Sequence, residues 1–167
     1  MKKIIILMLF ACIYTMGIAQ QNKQLKDGLY LVDKELHDTK TVTLKSNQAL
    51  VHFNHDFIEN APDSSTGLLV NTSDFVPLVL GEEPLLLPQT GTKMKLQLTF
   101  SRLASEKLEH FTAANVMKQV TMIVNGEALT VHKIRDAIRG GKMEITGDNA
   151  CQRIYVTLKN NNVVKDK

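Results

Sequence analysis

Two short stretches hold the residue types that protein chemistry most often uses. In the first, "HFNHD", His52, His55 and Asp56 fall within five residues. Imidazole nitrogens and a carboxylate are the donors that zinc and similar ions take. On a strand, however, His52 and His55 point to opposite faces, because side chains alternate with a period of two. They could share an ion only if the chain turned after Phe53, and no second cluster supplies further ligands at a recognisable spacing. The stretch therefore reads as a strand end. No metal ligand is assigned and no cofactor is expected; a small metal-dependent enzyme using His52, His55 and Asp56 is the alternative reading.

The second stretch, "VNGEALTVHKIRDAIRGGKMEITG", gathers His132, Arg135, Asp136, Arg139 and the pair Gly140-Gly141 between Val124 and Gly147. Phosphate cradles place glycines before a helix N-terminus. Here they follow "HKIRDAIR", where Ile134 and Ile138 stand four apart and predict a short helix. The glycines then read as its stop. Arg135, Asp136 and Arg139 fall within one turn of that helix, with Arg139 near the negative end of its dipole, and form a charged, solvated face. Ser101, His110 and His132 are types that acyl transfer uses, but the chain has no Gly-x-Ser-x-Gly elbow. The expectation is a protein that is not an enzyme, with His132, Arg135 and Arg139 as binding candidates toward a protein partner.

These residues must be held by flanking elements. "GLYLVD", "TKTVTLKS" and "QALVHFNHDF" are β-branched or alternating and predict strands, with a turn at Ser46-Asn47. Pro77, Pro84 and Pro88 interrupt the apolar runs between Leu68 and Pro88, which predicts short edge strands or packed loops, since proline lacks a ladder donor. "KMKLQLTF" alternates cleanly, with Met94, Leu96, Leu98 and Phe100 on one side. Leu103, Leu108 and Phe111 then recur at near-helical spacing after Ser101 or Ser105 as the cap, and Thr112 is read as restarting a second short helix through Val116. "VTMIVNGEALTV" reads as two strand runs joined at Asn125-Gly126. "KMEIT" is a further strand, and Asp148 or Asn149 caps a last helix through Ala150, Ile154 and Leu158. The order fits an α+β architecture: a mixed or antiparallel sheet with short helices packed on one face.

The 167 residues and 44% apolar content suffice for one ordinary domain or two small subdomains. "MKKIIILMLFACIYTMGIAQ" reads as a secretory signal peptide cut after Ala19; a lipoprotein reading, with Cys12 acylated, is the alternative. Both place the mature chain outside the cytoplasmic membrane, in the periplasm or secreted. Losing Lys2 and Lys3 lowers the formal charge from +3 to about +1, so charge provides no argument for nucleic acid or an anionic membrane. Cleavage at Ala19 leaves Cys151 as the sole cysteine, which excludes an intramolecular disulfide and suits a buried small hydrophobe. The expected divisions are residues 1–19 as signal peptide, 20–92 as a β-rich region, 93–160 as an α+β region and 161–167 as a polar tail.

From about Lys93 to Lys159 the order and punctuation resemble the head subdomain of the first periplasmic domain of SecD and SecDF, accessory subunits of the bacterial protein-export channel. The resemblance is carried by Thr112 and Asn115 of a Thr-x-x-Asn step, the apolar strand ending in Asn125-Gly126, the Ile-centred turn of helix, Gly140-Gly141, Ile145-Thr146-Gly147, and the helix with Ala150 and Leu158. Two positions depart from it: His132 stands where the family usually has proline, and Met117 where it has glycine. The family's six membrane spans and its charged membrane residues are not in this sequence. The resemblance implies the shape of a head domain and a surface facing other polypeptides, an exported chain or an envelope protein, and no transport motor.

Overall fold

A computed structural model describes residues 25–40, 42–54, 66–147 and 149–160. The expected signal peptide, Cys12, His55, Asp56, Asp148 and the expected polar tail lie outside these residues. The elements are β1 (Gly28–Leu36), β2 (Gln48–Phe53), β3 (Gly67–Pro77), β4 (Leu85–Pro88), β5 (Met94–Thr99), α1 (Arg102–Ala114), β6 (Gln119–Val124), β7 (Glu127–Lys133), β8 (Lys142–Gly147) and α2 (Asn149–Asn160). The expected α+β architecture is present. Its strands form two sheets: a closed barrel in the order β1-β3-β2-β7-β6, and a three-stranded sheet in the order β4-β5-β8. The barrel takes strands from both sides of residue 92. It is mixed, because β2 and β7 pair in parallel through His52–Glu127 and Phe53–Ala128 while its other ladders are antiparallel.

Alternation along the strands separates two cores. Tyr30, Val51, Phe53, Leu68, Val70, Ile123 and Ala128 fill the barrel interior. There the Tyr30 ring stacks on Phe75, its cross-strand partner, with centroids 4.9 Å apart. The Tyr30 hydroxyl donates to the Lys26 carbonyl at 2.7 Å. Burial, with Asp27 nearby, pushes its pKa up to about 12, so it stays a donor at any physiological pH. The second core lies between the barrel's outer face and the three-stranded sheet: Leu29, Met122, Val124 and Leu129 meet Leu96, Leu98, Phe100 and Ile145 there. Leu108 and Phe111 of α1 close it on one side, and Cys151, Ile154 and Leu158 of α2 on another. The clean alternation of Met94, Leu96, Leu98 and Phe100 is what turns β5 toward this core. Cys151 is buried as expected, and its thiol donates to the Ile145 carbonyl at 3.4 Å.

β6 and β7 form a hairpin around Asn125 and Gly126, both at positive φ (54° and 82°), as a two-residue turn of the primed type requires. The Asn125 N–H donates to the Asp27 carboxylate at 2.8 Å, which ties the turn to the start of β1. A register shift after Met122–Thr130 inserts one extra residue in β7. Leu129 and Thr130 consequently both lie on the outer side, and Val131 returns to the barrel interior.

Four local expectations are corrected. Residues 42–45 form no strand, and both edges of β3 are taken, by β1 and by β2. The apolar run after Gly67 is one long strand, β3, because Pro77 falls at its last residue, opposite Gly28, where no central donor is lost. Pro88 ends β4, which is an edge strand.

Thr112 does not restart a helix. Its hydroxyl donates to the Leu108 carbonyl at 2.7 Å inside α1, and Asn115 ends the helix by donating its side-chain amide to the Phe111 carbonyl at 2.8 Å. Residues 134–141 are not a helix either. They form an extended strap whose donors go elsewhere: Ile134 N–H to the Lys118 carbonyl at 2.9 Å, Ala137 N–H to the Asp136 carboxylate at 2.7 Å, and Ile138 N–H to the Thr112 hydroxyl at 2.8 Å. Gly140 and Gly141, at φ 69° and 67°, turn the strap into β8.

Glycine is needed at 141 twice over: its φ is positive, and a Cβ added there would overlap the Ser105 side chain, while its carbonyl accepts from the Phe100 N–H at 2.9 Å. Around Gly140 there is open space. Gly140→Ala should therefore cost about 1–2 kcal/mol, the strain of a left-handed alanine alone. Gly141→Ala should cost at least ~1 kcal/mol more, since a clash adds to the same strain. Urea denaturation of both variants measures the difference; equal losses would mean that the strap yields freely.

Candidate functional site

A groove of about 320 Å³ lies between the outer face of the β6–β7 hairpin and β8, roofed by the strap. That size lies at the lower end of ligand sites, roughly 300–1,000 Å³, and suits a few side chains of a longer molecule. The hairpin wall is Val120, Met122, Thr130 and His132, which the β6–β7 register sets side by side as the pairs Val120–His132 and Met122–Thr130. The opposite wall is Met143, Glu144 and Ile145, three consecutive residues of β8. Alternating side chains cannot all face one way, so β8 borders the groove with its edge. Among the described residues that edge has no partner strand, because β8 pairs with β5 on its other side only.

Charge is confined to the rim. Lys133, Arg135 and Asp136 stand on the strap side and Glu144 on the sheet side, where Lys95 pairs with it at 2.9 Å. His132 keeps much of its surface open to water. Even so, the surrounding protein desolvates the imidazole and lowers its pKa from the ordinary 6.5. At neutral pH the groove thus meets a ligand with an uncharged imidazole.

Of the three residues expected to bind, the structure brings two together. His132 and Arg135 line the groove, whereas Arg139 projects away from it with its side chain 81% exposed and lies 3.7 Å from Glu109 of α1. Arg139 is therefore not beside a helix end. The apolar partners Val120, Met122, Ile138, Met143 and Ile145 were not singled out by the sequence reading. Their signal was present in the alternation of β6, but only the strap's extended path reveals which face it leaves open.

The other sets are dispersed. His110 borders a shallow depression on the far side of α1 with Asp74, Glu106 and Lys107, and Ser101 lines neither recess. Ser101 stands at the α1 N-cap, where its buried hydroxyl finds no hydrogen-bond partner among the described residues. His52 is exposed on β2, and no group of three or more His, Cys, Asp or Glu residues that could hold a metal occurs among the described residues. Chemically, the groove offers apolar contact, an unpaired strand edge and a charged rim.

The lowered pKa of His132 fixes the sign of a pH effect. The unfolded chain takes up this proton more readily than the native state. The stability that the neutral imidazole provides is complete above pH 6.5 and is lost as pH falls from there through the lowered native value. His132→Asn should remove this part of the decline, so its urea midpoint should fall less than that of the parent between pH 7.5 and 5. Parallel declines would show that His132 does not contribute.

Residues 85–160 match the family described as SecDF, P1 head subdomain, a little under half of the chain. The match begins at the first residue of β4, earlier than the sequence resemblance, and takes in every groove residue except Leu29. No curated protein matches. Among solved structures, the chain is similar to one described as a membrane component SecDF that enhances protein export, at 16% identity and a TM-score of 0.47, over 81% of this chain and 62% of that one. A SecDF in a super-membrane-facing form gives 19%, 0.46, 78% and 18%. SecDF from Thermus thermophilus, described as a translocon-associated membrane protein, gives 14%, 0.45, 84% and 30%. The chain thus spans less than two thirds of each of these. No helix among the described residues is long and apolar enough to cross a membrane.

Proposed function

We propose, for a chain whose residues 85–160 carry the SecDF P1 head subdomain, that it is a non-catalytic protein acting outside the cytoplasmic membrane, periplasmic or secreted, which binds other polypeptides in connection with protein export. The observation that supports this is the groove itself. An unpaired strand edge faces an apolar wall, and the recess lies almost wholly within the matched segment.

An extended segment laid along β8 would form main-chain hydrogen bonds to its edge and set alternate side chains against Val120, Met122 and Ile138. Backbone pairing is indifferent to sequence and an apolar wall discriminates only by size, so such a site suits many polypeptides. Burying two aliphatic side chains contributes about 3–6 kcal/mol. Association and ordering of the segment offset much of this, which leaves affinities on the order of micromolar to millimolar. Binding of that strength releases its cargo without an energy source. A leader cut after Ala19, or an anchor at Cys12, supports a location outside the cytoplasmic membrane.

The test uses a fluorescent, unfolded peptide rich in Leu and Val, with a polar peptide of equal length as the control. Anisotropy should detect the apolar peptide alone. Met143→Glu puts a carboxylate on the β8 wall and should weaken binding at least tenfold, with circular dichroism confirming the fold. A photocrosslinker at Ile138 in living cells should capture exported polypeptides or envelope proteins. Equal binding of both peptides, or indifference to Met143→Glu, would sink the reading.

A further inference from the structure

The three-stranded sheet ends in two edges, β4 and β8, and among the described residues neither is paired with a further strand. Register decides what each edge can offer, because successive residues of an antiparallel strand send their N–H and C=O groups to opposite sides. Two bonds fix the phase: Gln89 N–H donates to the Lys93 carbonyl at 2.9 Å just past β4, and Phe100 N–H donates to the Gly141 carbonyl at 2.9 Å just before β8. Counted in twos from the first, Leu87 and Leu85 form the closed pairs with Lys95 and Gln97, which leaves Leu86 and Pro88 facing outward. Counted from the second, Met143, Ile145 and Gly147 form the closed pairs with Leu98, Leu96 and Met94, which leaves Lys142, Glu144 and Thr146 facing outward.

The two edges therefore differ. On β4, Pro88 has no N–H to present, and Pro84, just before the strand, falls at the next outward position. Leu86 is the one outward donor there, and proline at such positions keeps strands from adding to an edge. On β8 all three outward residues carry an N–H, and Glu144, the middle one, borders the groove. Side chains follow the same parity: Met143 and Ile145 turn toward the core, while Glu144 stands on the outer face and pairs there with Lys95. Donors and acceptors repeated at every second residue, beside an apolar wall, match one chemistry, that of an extended polypeptide backbone.

We propose that Glu144 sets the register of the bound segment: its N–H and C=O bond to that segment, Lys142 and Thr146 extend the ladder, and a proline at the segment's paired positions is rejected. This rests on the reading of the groove as a polypeptide site, and it gives that site a backbone selectivity that apolar contact alone lacks. The residue opposite Glu144 turns its side chain to the outer face, and its two neighbours turn theirs toward Val120 and Met122.

The probe is a fluorescent peptide alternating Leu with Thr, in two further versions N-methylated on the Leu amides or on the Thr amides. Alternation fixes the face that enters the groove, so only one set of amides meets β8. By anisotropy one version should bind like the unmethylated peptide and the other about tenfold more weakly. Glu144→Pro removes an N–H that the β5–β8 ladder does not use, and should also weaken binding about tenfold with circular dichroism unchanged. Glu144→Ala keeps that N–H and should bind like the parent. Equal binding of the two methylated versions, or a folded Glu144→Pro that binds like the parent, overturns the proposal; the groove reading stands if Met143→Glu still weakens binding. Should Glu144→Pro fail to fold, the methylated pair decides alone. A parent that sediments as a dimer while folded Glu144→Pro does not would put a second copy on this edge and overturn the proposal. If the unmethylated peptide does not bind at all, both readings fall together.

Discussion

The β6–β7 hairpin is buried on both faces, and most of the structure follows from that constraint. Ile123, Ala128 and Val131 close the barrel, while Met122, Val124 and Leu129 pack toward the three-stranded sheet. A strand with two apolar faces cannot sit at a surface, so a second layer must cover whatever the barrel does not. That layer is β4-β5-β8 with α1 and α2. It covers the hairpin unevenly: Met122 and Thr130 are buried, whereas Val120 is half-buried and His132 exposed, and all four border the recess. The buried hydroxyl of Thr121 is accommodated because it donates to the Thr130 carbonyl at 2.7 Å, across the step where the register shifts. The groove is thus a product of how the hairpin is shared between two cores.

The strap sets the groove's other dimension. A helix over residues 134–141 would have turned its amide donors inward and drawn Ile134 and Ile138 onto one face. The chain instead gives these donors to Lys118 and to Thr112, and spans from the end of β7 to the start of β8 as a roof. Thr112 is the pivot of this arrangement. One hydroxyl donates within α1 and accepts from the strap, so the position of the helix and the height of the roof are coupled through a single oxygen. Glu109 and Arg139 add a solvent-exposed ion pair outside, of the kind that contributes little.

The functional reading moves from charge to backbone. Histidine and arginine draw attention in a sequence because few residue types can ionise or ligate, yet here they form a rim, and Arg139 stands outside it altogether. The recess itself is bordered by an edge of β8 that is free among the described residues and by an apolar wall. Neither has a side-chain type of its own.

What the sequence by itself determined was local. Alternation set β5 and its buried face, Asn125-Gly126 set the hairpin turn, and the helical spacing of Leu108 and Phe111 set α1, because each depends on neighbours within a few residues. The α+β class and the resemblance over the second half were legible for the same reason. What only the tertiary structure decided was where partners came from: that β3 runs unbroken between β1 and β2, that the first three strands close a barrel with β6 and β7, and that Ile134 and Ile138 give their amide donors to Lys118 and to Thr112. Short apolar periods such as Ile134 and Ile138 fit a helix or a strap equally well. The choice falls to whichever distant donor or acceptor is within reach once the layers have packed.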